Sequence, residues 1–426
     1  MTVRFDEAWT AILAAGRDLT LGTGLTVVAL RDVVGRVSLI VDDRSGELIP
    51  DKDDIVQSIR ASAGPFAAST PLISALDLFD ADAVFSDDAV RWDQGHHFGR
   101  LERAVVGQDW GRQGEPRHGR VALYGFKGGV GRSTATFMLA RHAASRGLCV
   151  LVVDLDLESP GIGPLLQDDD QYPRHGVVDH LAEAAVGNAD GLELVARTNR
   201  IVGAVNGEVW FTPAGGPFRV GYDYLARLNR AYADLPGATG RITFAQRLRG
   251  AVEASEDQVR QLSRQPDLVL LDSRAGLHDI AAVVLTQLAD LNLLFATDNR
   301  HTWSGYSTLF AQWQDAGLAP EIRDRLRMVS AMTPPPVPTY LERFRDHAQE
   351  CFASHLYDLA EPDDLEAFNP APDDSDAPHS PVPIYFSSEL IGVDSDRVTK
   401  LADDPRVAGA YGAFVNGVIR LVESGT

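Results

Sequence analysis

The segment with the clearest potential for chemistry is Tyr124–Thr134, which reads YGFKGGVGRST. An apolar strand pattern leads into it, and a helical pattern leads out of it. Closely spaced glycines let the backbone curl so that successive N–H groups point inward, and together with the helix N-terminus they form an anion site suited to a polyphosphate. The Ser133 hydroxyl is placed to reach a Mg²⁺ ion at that phosphate. The residues expected to contact a polyphosphate ligand there are Lys127, Gly128, Gly129, Val130, Gly131, Arg132, Ser133 and Thr134.

Two further apolar strand patterns each end in acidic residues. Val150–Val153 runs into Asp154 and Asp156, and Leu268–Leu271 runs into Asp272. In a parallel sheet, ligands bind beyond the carboxyl ends of the strands. We therefore expect these carboxylates to lie beside the glycine-rich loop. The alternative is that they are ordinary surface carboxylates at strand ends.

The loop resembles the deviant Walker A loop of the ParA/MinD class of P-loop ATPases, whose pattern is Lys-Gly-Gly-x-Gly-Lys-Ser/Thr. Lys127 matches the signature lysine of that family, which reaches across a nucleotide-sandwich dimer to the phosphates of the other subunit. Arg132 departs from the pattern, because the family has lysine there. The stretch is more similar to a variant subgroup of bacterial ATPases that reads Lys-Gly-Gly-Val-Gly-Arg. The resemblance covers roughly residues 119–425.

The resemblance implies ATP and Mg²⁺ as cofactors, slow ATP hydrolysis, and an ATP-dependent homodimer that acts on a protein partner. It makes Asp156 the residue that orients the attacking water, and it lets Gly276 offer a backbone N–H to the γ-phosphate. The implied catalytic residues are Asp156, Lys127 and Asp154. The implied magnesium site consists of Ser133, Asp154 and Asp272.

Lysine usage within the chain supports a special role for Lys127. Among 39 basic residues, lysine occurs only at Lys52, Lys127 and Lys400. A compact ammonium group reaches between phosphate oxygens where a planar guanidinium fits poorly. Arg132, at the start of the helix, is expected to face the phosphates of its own subunit and to bind them bidentately.

Two positions near the predicted site keep alternative roles. Arg274 stands where family members often have proline, and it either senses phosphate or pairs with an acid. Asn299 follows the strand Leu291–Ala296 and can present both a donor and an acceptor to adenine; its alternative is to cap the helix that includes Trp303. Met332–Pro338, with three consecutive prolines, is expected to form part of the base pocket wall.

The elements that must position these residues follow a clear pattern after residue 119. Continuous apolar strands alternate with helical segments, which predicts an α/β fold with a mostly parallel sheet and helices on both faces. The predicted strands are Val121–Tyr124, Leu148–Val153, Val209–Thr212, Leu268–Leu271, Leu291–Ala296 and Arg327–Ala331. The predicted helices are Ser133–Arg146, Tyr222–Tyr232, Phe244–Leu262, Ile280–Leu288 and Trp303–Trp313.

Residues 1–118 are predicted to form a small α+β region that is specific to the partner, and residues 119–426 the ATPase domain. Within the first region, Ala81–Phe85 is predicted as a strand and Gln108–Gly119 as a linker. Glu361–His379 contains seven acidic residues and four prolines, so a solvated, mobile loop is expected there.

The charge of the chain argues against nucleic acid and membrane partners. With 60 acidic and 39 basic residues, the net charge is −21, which repels DNA, RNA and anionic lipid. The last helical pattern has Arg420 as its only basic residue from Val407 onward, whereas an interfacial membrane helix needs a basic polar face. No apolar run is long enough to span a bilayer, so a cytoplasmic location is expected.

Three functions are consistent with the sequence. The first is an ATPase switch that acts in a bacterial signalling or defence module. The second is a nucleotide-binding regulatory module with little hydrolysis, because Arg132 replaces the loop lysine. The third is a phosphotransferase related to bacterial tyrosine kinases, although the tyrosine-rich tail of those kinases is absent after Tyr411.

Overall fold

The chain forms two compact units, Met1–Gln108 and Asp109–Thr426. The structure is a computed structural model. It describes residues 3–46, 49–87, 89–95, 97–103, 107–168, 171–201, 205–217, 219–237, 240–359, 367–391 and 395–424.

The first unit is built around one mixed five-stranded sheet. Its helices are α1 (Phe5–Thr23), α2 (Lys52–Ala63) and α3 (Asp82–Phe85). Its strands are β1 (Thr26–Arg31), β2 (Val37–Asp42), β3 (Ala67–Ser74), β4 (Arg91–Trp92) and β5 (Phe98–Glu102), in the order β3-β2-β1-β5-β4. Helices α1 and α2 bury one face of the sheet, where Ile12 and Ile59 join Val27 and Leu39 in one apolar core.

The prediction of a strand over Ala81–Phe85 is wrong, because residues 82–85 form the short helix α3. The side chain of Asp80 accepts a hydrogen bond from the backbone N–H of Ala83 at 3.2 Å, which satisfies a donor that the first helical turn leaves free. Aspartate competes well for such N–H groups, and this favours a helix start over a strand.

The second unit contains the predicted α/β fold. Its strands are β6 (Arg117–Gly125), β7 (Cys149–Leu155), β8 (Ala196–Arg197), β9 (Glu208–Thr212), β10 (Leu235–Gly237), β11 (Gly240–Ile242), β12 (Leu268–Ser273), β13 (Ala289–Ala296), β14 (Leu326–Thr333) and β15 (Val382–Tyr385). Eight of them form one sheet in the order β15-β14-β13-β6-β12-β7-β9-β8. Every pair in this sheet is parallel except β8 with β9.

Helices cover both faces of this sheet, as predicted. They are α4 (Arg132–Ser145), α5 (Gly163–Leu166), α6 (Val177–Ala184), α7 (Tyr224–Ala231), α8 (Phe244–Leu262), α9 (Asp279–Val283, continued by a π-turn to Leu288), α10 (Arg300–Asp315), α11 (Ala319–Ile322), α12 (Val337–His355), α13 (Ser395–Leu401) and α14 (Pro405–Ser424). Alternate residues of β6 face opposite cores: Ala122 and Tyr124 pack with α8 and α10, and Val121 and Leu123 pack with α4 and α14.

The segment predicted to be a linker, Gln108–Gly119, packs within the second unit from residue 109 onward. Trp110 is buried, with its ring 6.3 Å from that of Trp313. The N–H of Gly114 donates to the carbonyl of Thr286 at 3.4 Å. Apolar burial and backbone hydrogen bonding therefore hold this segment, and its glycines and arginines did not indicate that burial.

The expectation of a solvated loop over Glu361–His379 holds for residues 371–376, which are exposed and lie outside helices and strands, whereas residues 377–379 are buried; residues 361–366 lie outside the described residues. The His379 side chain is fully buried, and its Nδ1 lies 2.6 Å from the Tyr357 hydroxyl. The carbonyl of Pro378 accepts a hydrogen bond from the N–H of Met328 on β14. A buried polar contact and a backbone hydrogen bond thus fix the end of this segment, although its composition alone predicts mobility throughout.

The last helix packs on the sheet, as its apolar spacing predicts. The Phe414 ring of α14 lies 5.8 Å from the Phe295 ring of β13, and Val418 is fully buried. Within the part of the chain that the structure describes, no helix has the length and apolarity to cross a membrane.

Candidate functional site

The glycine-rich loop connects β6 to α4 and forms an open cradle. Gly129 and Gly131 have φ angles of 78° and 80°, a region that residues with a Cβ rarely adopt. A Cβ placed at Gly128, Gly129 or Gly131 would meet no atom within 4 Å. The loop therefore leaves its backbone N–H groups accessible beside the N-terminus of α4, which is the arrangement that binds phosphate.

Phe126 and Lys127, at the start of the loop, point to different environments. Phe126 packs so closely on α10 that a Cβ at Gly305 would lie 2.3 Å from its ring, and this contact fixes the loop entrance. Lys127 is exposed, and it has no hydrogen-bond or ion-pair partner among the described residues. Its ammonium group is therefore available to a ligand or to a second molecule.

Asp154 and Asp272 stand side by side at the ends of β7 and β12, where they pair in register. Burial raises the pKa of Asp272 to about 6, although the Arg132 charge and hydrogen bonding by Ser133 oppose the rise. Burial and then the Asp272 charge raise the pKa of Asp154 well above its ordinary value.

These carboxylates and Ser133 fit a magnesium ion. The Oδ1 atom of Asp272 is buried, and it has no hydrogen-bond partner in the described residues. An oxygen atom left unpaired in that environment costs free energy, and a divalent cation would offset the cost. Within the described ranges no group of three or more His, Cys, Asp and Glu side chains is arranged so that it could hold a metal ion, so the donor set is small. Mg²⁺ suits it, because this ion keeps several of its waters.

Asp156 lies between two arginines. Its Oδ2 is 3.6 Å from Nη2 of Arg132, and its Oδ1 is 3.6 Å from Nη1 of Arg274. Burial raises the pKa of Asp156, whereas the two guanidinium charges lower it. The buried Oδ1 has no hydrogen-bond partner in the described part of the chain, so it can accept a hydrogen bond from an added group such as a water molecule.

The Arg132 side chain, which is expected to face the phosphates of its own subunit, has partners at the strand ends beside the cradle. Its guanidinium donates to the backbone carbonyl of Ser273 and lies beside Asp156, and the residue is buried. A carbonyl oxygen and a carboxylate therefore hold the guanidinium in this structure, and bound phosphates would compete with them for it.

The comparisons with known proteins identify the family. The CobQ/CobB/MinD/ParA nucleotide binding domain matches residues 121–333, which is half of the 426-residue chain. The chain belongs to the CobQ/CobB/MinD/ParA nucleotide-binding family. No curated protein matches the sequence.

Several solved structures are similar to this chain at low sequence identity. The pNOB8 ParA structure bound to nonspecific DNA is 13% identical, covers 73% of this chain and 100% of its own, and has a TM-score of 0.46. Cobyrinic acid a,c-diamide synthase from Mycobacterium smegmatis, with bound ATP analogue and magnesium, is 17% identical, with 73% and 98% coverage and a TM-score of 0.42. The MinD cell division protein of Aquifex aeolicus is 13% identical, with 70% and 96% coverage and a TM-score of 0.40.

In this CobQ/CobB/MinD/ParA family member, the N–H of Gly276 is not free to bind a phosphate. It donates to the carbonyl of Gly125 at 3.2 Å, while its own carbonyl accepts from the Tyr124 hydroxyl at 3.1 Å. This N–H, in the segment after β12, thus donates to the end of β6, which the sequence pattern did not indicate. An interaction of Gly276 with a γ-phosphate requires this bond to break.

Asn299 caps helix α10, which was one of its two predicted roles. Its Oδ1 accepts from the N–H of Thr302 at 3.0 Å, and its Nδ2 donates to the Thr297 hydroxyl at 2.7 Å. Its donor and its acceptor are both engaged, so an interaction with adenine would have to compete with the cap. Met332 and Pro334–Pro336 precede α12, a helix of 19 residues that sequence analysis missed, and Pro338 lies in its first turn.

The structure adds residues to the candidate site that the sequence analysis did not assign to it. Arg274 pairs with an acid, which is one of its two predicted roles: its Nη1 lies 2.6 Å from Oε2 of Glu158. The hydroxyl of Tyr232 donates to Glu158, and Nε2 of His278 lies 3.4 Å from the same carboxylate. The alternation of Asp156 and Glu158 after β7 was a usable signal for Glu158, whereas nothing in the sequence separates Tyr232 and His278 from other surface residues.

Proposed function

We propose that this protein is a Mg-ATP-binding and ATP-hydrolysing molecular switch, in the deviant Walker A branch of its family and in the subgroup whose loop reads Lys-Gly-Gly-Val-Gly-Arg. The switch dimerises around nucleotide and regulates a protein partner in a bacterial signalling or defence module. Family membership supports the nucleotide, and the site geometry supports the chemistry.

One observation supports this proposal most strongly. The open glycine cradle after β6 lies at the same sheet edge as the paired carboxylates Asp154 and Asp272 on the two adjacent strands. A phosphate-binding loop next to buried carboxylates, one of which has an unpaired oxygen, needs both an anion and a cation to be satisfied. Mg-ATP supplies both.

Each residue then has a defined task. The loop backbone from Gly128 to Gly131 and the start of α4 hold the phosphates. Ser133, Asp154 and Asp272 hold Mg²⁺, which neutralises phosphate charge when it is bound. Asp156 orients the attacking water through its unpaired Oδ1 and accepts a proton from it.

The exposed Lys127 supports the homodimer. Two bound ATP molecules that face each other repel unless cations lie between them, and each chain carries a net charge of −21. An ammonium group at the front of the loop, without a partner in the described residues, is placed to reach the nucleotide of a second copy. We assign partner recognition to residues 1–118, and we expect neither nucleic acid nor membrane as the partner.

Phosphate release against time in Mg-ATP tests the hydrolysis. Wild-type protein should release phosphate slowly but continuously, and the Asp156→Ala variant should release far less. A wild-type rate equal to that of Asp156→Ala would overturn the assignment as an ATPase. Binding of a fluorescent ATP analogue, measured in parallel, separates loss of catalysis from loss of binding.

A second candidate is a nucleotide-binding regulatory module with little hydrolysis. The observation that favours it is the contact of Arg132 with Asp156, which occupies one face of the proposed water-orienting carboxylate. In that case ATP binding alone would set the state of the protein. Tight ATP binding without phosphate release above the Asp156→Ala level would identify this function.

A further inference from the structure

A chain of alternating charges leads away from Asp156 into the protein. Arg274 Nη1 lies 3.6 Å from Oδ1 of Asp156 and 2.6 Å from Oε2 of Glu158. Glu158 in turn accepts from the Tyr232 hydroxyl, and Nε2 of His278 lies 3.4 Å from it. The residues come from the segments after β7 and β12, from the end of α7 and from the start of α9, so several elements fix one carboxylate.

The two arginines beside Asp156 differ in what a nucleotide would do to them. Arg132 begins the helix at the phosphate cradle, so bound phosphates compete with Asp156 and the Ser273 carbonyl for its guanidinium. Arg274 is held by Glu158 and has no such competitor among its described contacts. When phosphate draws Arg132 away, Arg274 is the guanidinium that stays beside Asp156.

We propose that Arg274 is a positioning residue that holds the Asp156 carboxylate in its water-orienting direction, and that Glu158 holds Arg274. This inference rests on the proposed ATPase function, because only hydrolysis requires a directed Asp156. A guanidinium suits the task, since its five N–H donors lie in one plane and can serve two carboxylates at once.

The solvent exposure of the Arg274–Glu158 ion pair distinguishes a role in positioning Asp156 from a role in stabilising the fold. The side chains of Arg274 and Glu158 are 29% and 22% exposed. Partly exposed ion pairs contribute little to folding stability, because solvent screens them. Loss of Arg274 should therefore reduce the rate of hydrolysis much more than it reduces stability.

Three variants test the proposal: Arg274→Gln, Arg274→Lys and Glu158→Gln. In Arg274→Gln, kcat should fall about 10–100-fold, the range seen when a supporting partner of a functional group is removed, while KM and the affinity for a fluorescent ATP analogue stay within about threefold. Arg274→Lys should recover part of kcat, because one charge remains. Glu158→Gln should resemble Arg274→Gln, and the double variant should be no slower than Arg274→Gln.

Arg103→Gln is the matched control. Arg103 forms an ion pair with Asp87 at 2.7 Å, with side chains 30% and 20% exposed, which is close to the geometry of the Arg274 pair. Its melting temperature should change about as much as that of Arg274→Gln, and its kcat should not change.

Crystal structures of the nucleotide-free wild type and Arg274→Gln provide a readout that does not depend on activity. Without Arg274, the Asp156 side chain should turn towards Arg132 and adopt another rotamer. An unchanged Asp156 rotamer, or an unchanged kcat in Arg274→Gln, would overturn the positioning role. If the double variant loses kcat by the product of the two single-variant losses, the role of Glu158 in holding Arg274 would be overturned. A wild type without phosphate release would overturn the proposed function, and the two crystal structures would still decide the positioning role.

Discussion

Asp156 is the residue on which the proposed hydrolysis depends. The Asp156→Ala variant should still bind Mg-ATP, because the cradle and the Ser133 hydroxyl are unchanged. It should release phosphate about 10²–10⁴-fold more slowly, since the group that orients the water is lost. Asp257→Ala, on the exposed side of α8, is the control and should keep the wild-type rate. Undiminished turnover in Asp156→Ala would move the catalytic role to Asp154 or Glu158.

Ser133 gives a second prediction at this scale, through its hydroxyl rather than its backbone. If the hydroxyl helps to hold the metal, Ser133→Ala should weaken Mg-ATP binding more than it weakens metal-free ATP binding. Titration of a fluorescent ATP analogue with and without Mg²⁺ measures both affinities. Ser145→Ala, at the other end of α4, is the control: the Ser145 hydroxyl donates to the carbonyl of His142 at 2.7 Å, and its loss should change neither affinity. Equal losses with and without Mg²⁺ in Ser133→Ala would remove Ser133 from the metal site.

The residues that could be predicted from sequence are those with a local pattern. Glycine spacing indicated the cradle, and acids after apolar strands indicated the Asp154–Asp272 pair. What the sequence did not indicate depends on contacts between distant segments, such as the bond of Gly276 to Gly125 or of Arg132 to Ser273. A single sequence does not specify which carbonyl a free guanidinium will find.

At the scale of elements, a buried ion pair joins β6, the strand before the cradle, to helix α8. Arg120 is 1% exposed, and its Nε and Nη2 donate to both oxygens of Glu256 at 2.7 and 2.9 Å. Glu256→Ala would leave a buried guanidinium without its hydrogen-bonded carboxylate, which costs about 3–5 kcal/mol, because Glu253 lies 3.9 Å from Arg120 and makes no hydrogen bond with it. Urea unfolding followed by tryptophan fluorescence should show that loss. Glu253→Ala, on the same helix and 41% exposed, is the control and should cost less than about 1 kcal/mol.

His379, at the buried end of the segment after α12, should make the folding stability depend on pH. Burial lowers the pKa of His379 below its ordinary value of 6.5, so the folded state binds a proton less readily than the unfolded state. The contribution of neutral His379 to folding stability is complete above pH 6.5. It is lost as the pH falls from 6.5 towards the lowered pKa of the folded state. We expect wild-type protein to lose more stability between pH 7.5 and pH 5.5 than His379→Gln does. Equal losses, measured by thermal unfolding at both pH values, would contradict this.

Elements were predictable where the apolar spacing continued without interruption. The parallel sheet and the helices on both faces followed from such runs, whereas α12 did not, because prolines stand before it and inside its first turn. Proline is tolerated at that position, since the first helical N–H groups need no intrahelical partner. The same residues therefore indicate a loop in the sequence and begin a helix in the structure.

At the scale of the whole molecule, ATP should drive dimerisation, and Lys127 should be required for it. Sedimentation in saturating Mg-ATP compares Asp156→Ala, which should be dimeric, with the same protein carrying Lys127→Ala, which should be monomeric. Arg132→Ala should instead lose nucleotide affinity. Lys400→Ala in the Asp156→Ala background is the control, because it removes an exposed lysine from α13 and should leave the dimer intact. A double variant with Lys127→Ala that dimerises fully would disprove the role of Lys127 across the interface.

The scarcity of lysine around an exposed Lys127 also makes the protein suited to amine-directed labelling. An acylating reagent meets only three lysine side chains and the amino terminus in 426 residues, so the modification of each can be followed separately by mass spectrometry. Lys52 and Lys400, both exposed, serve as internal references for reagent access. Protection of Lys127 from acylation, relative to these two lysines, would report how far ATP occupies the loop. Recorded after ATP addition and while the ATP is consumed, it would follow this occupancy over time in unmutated protein.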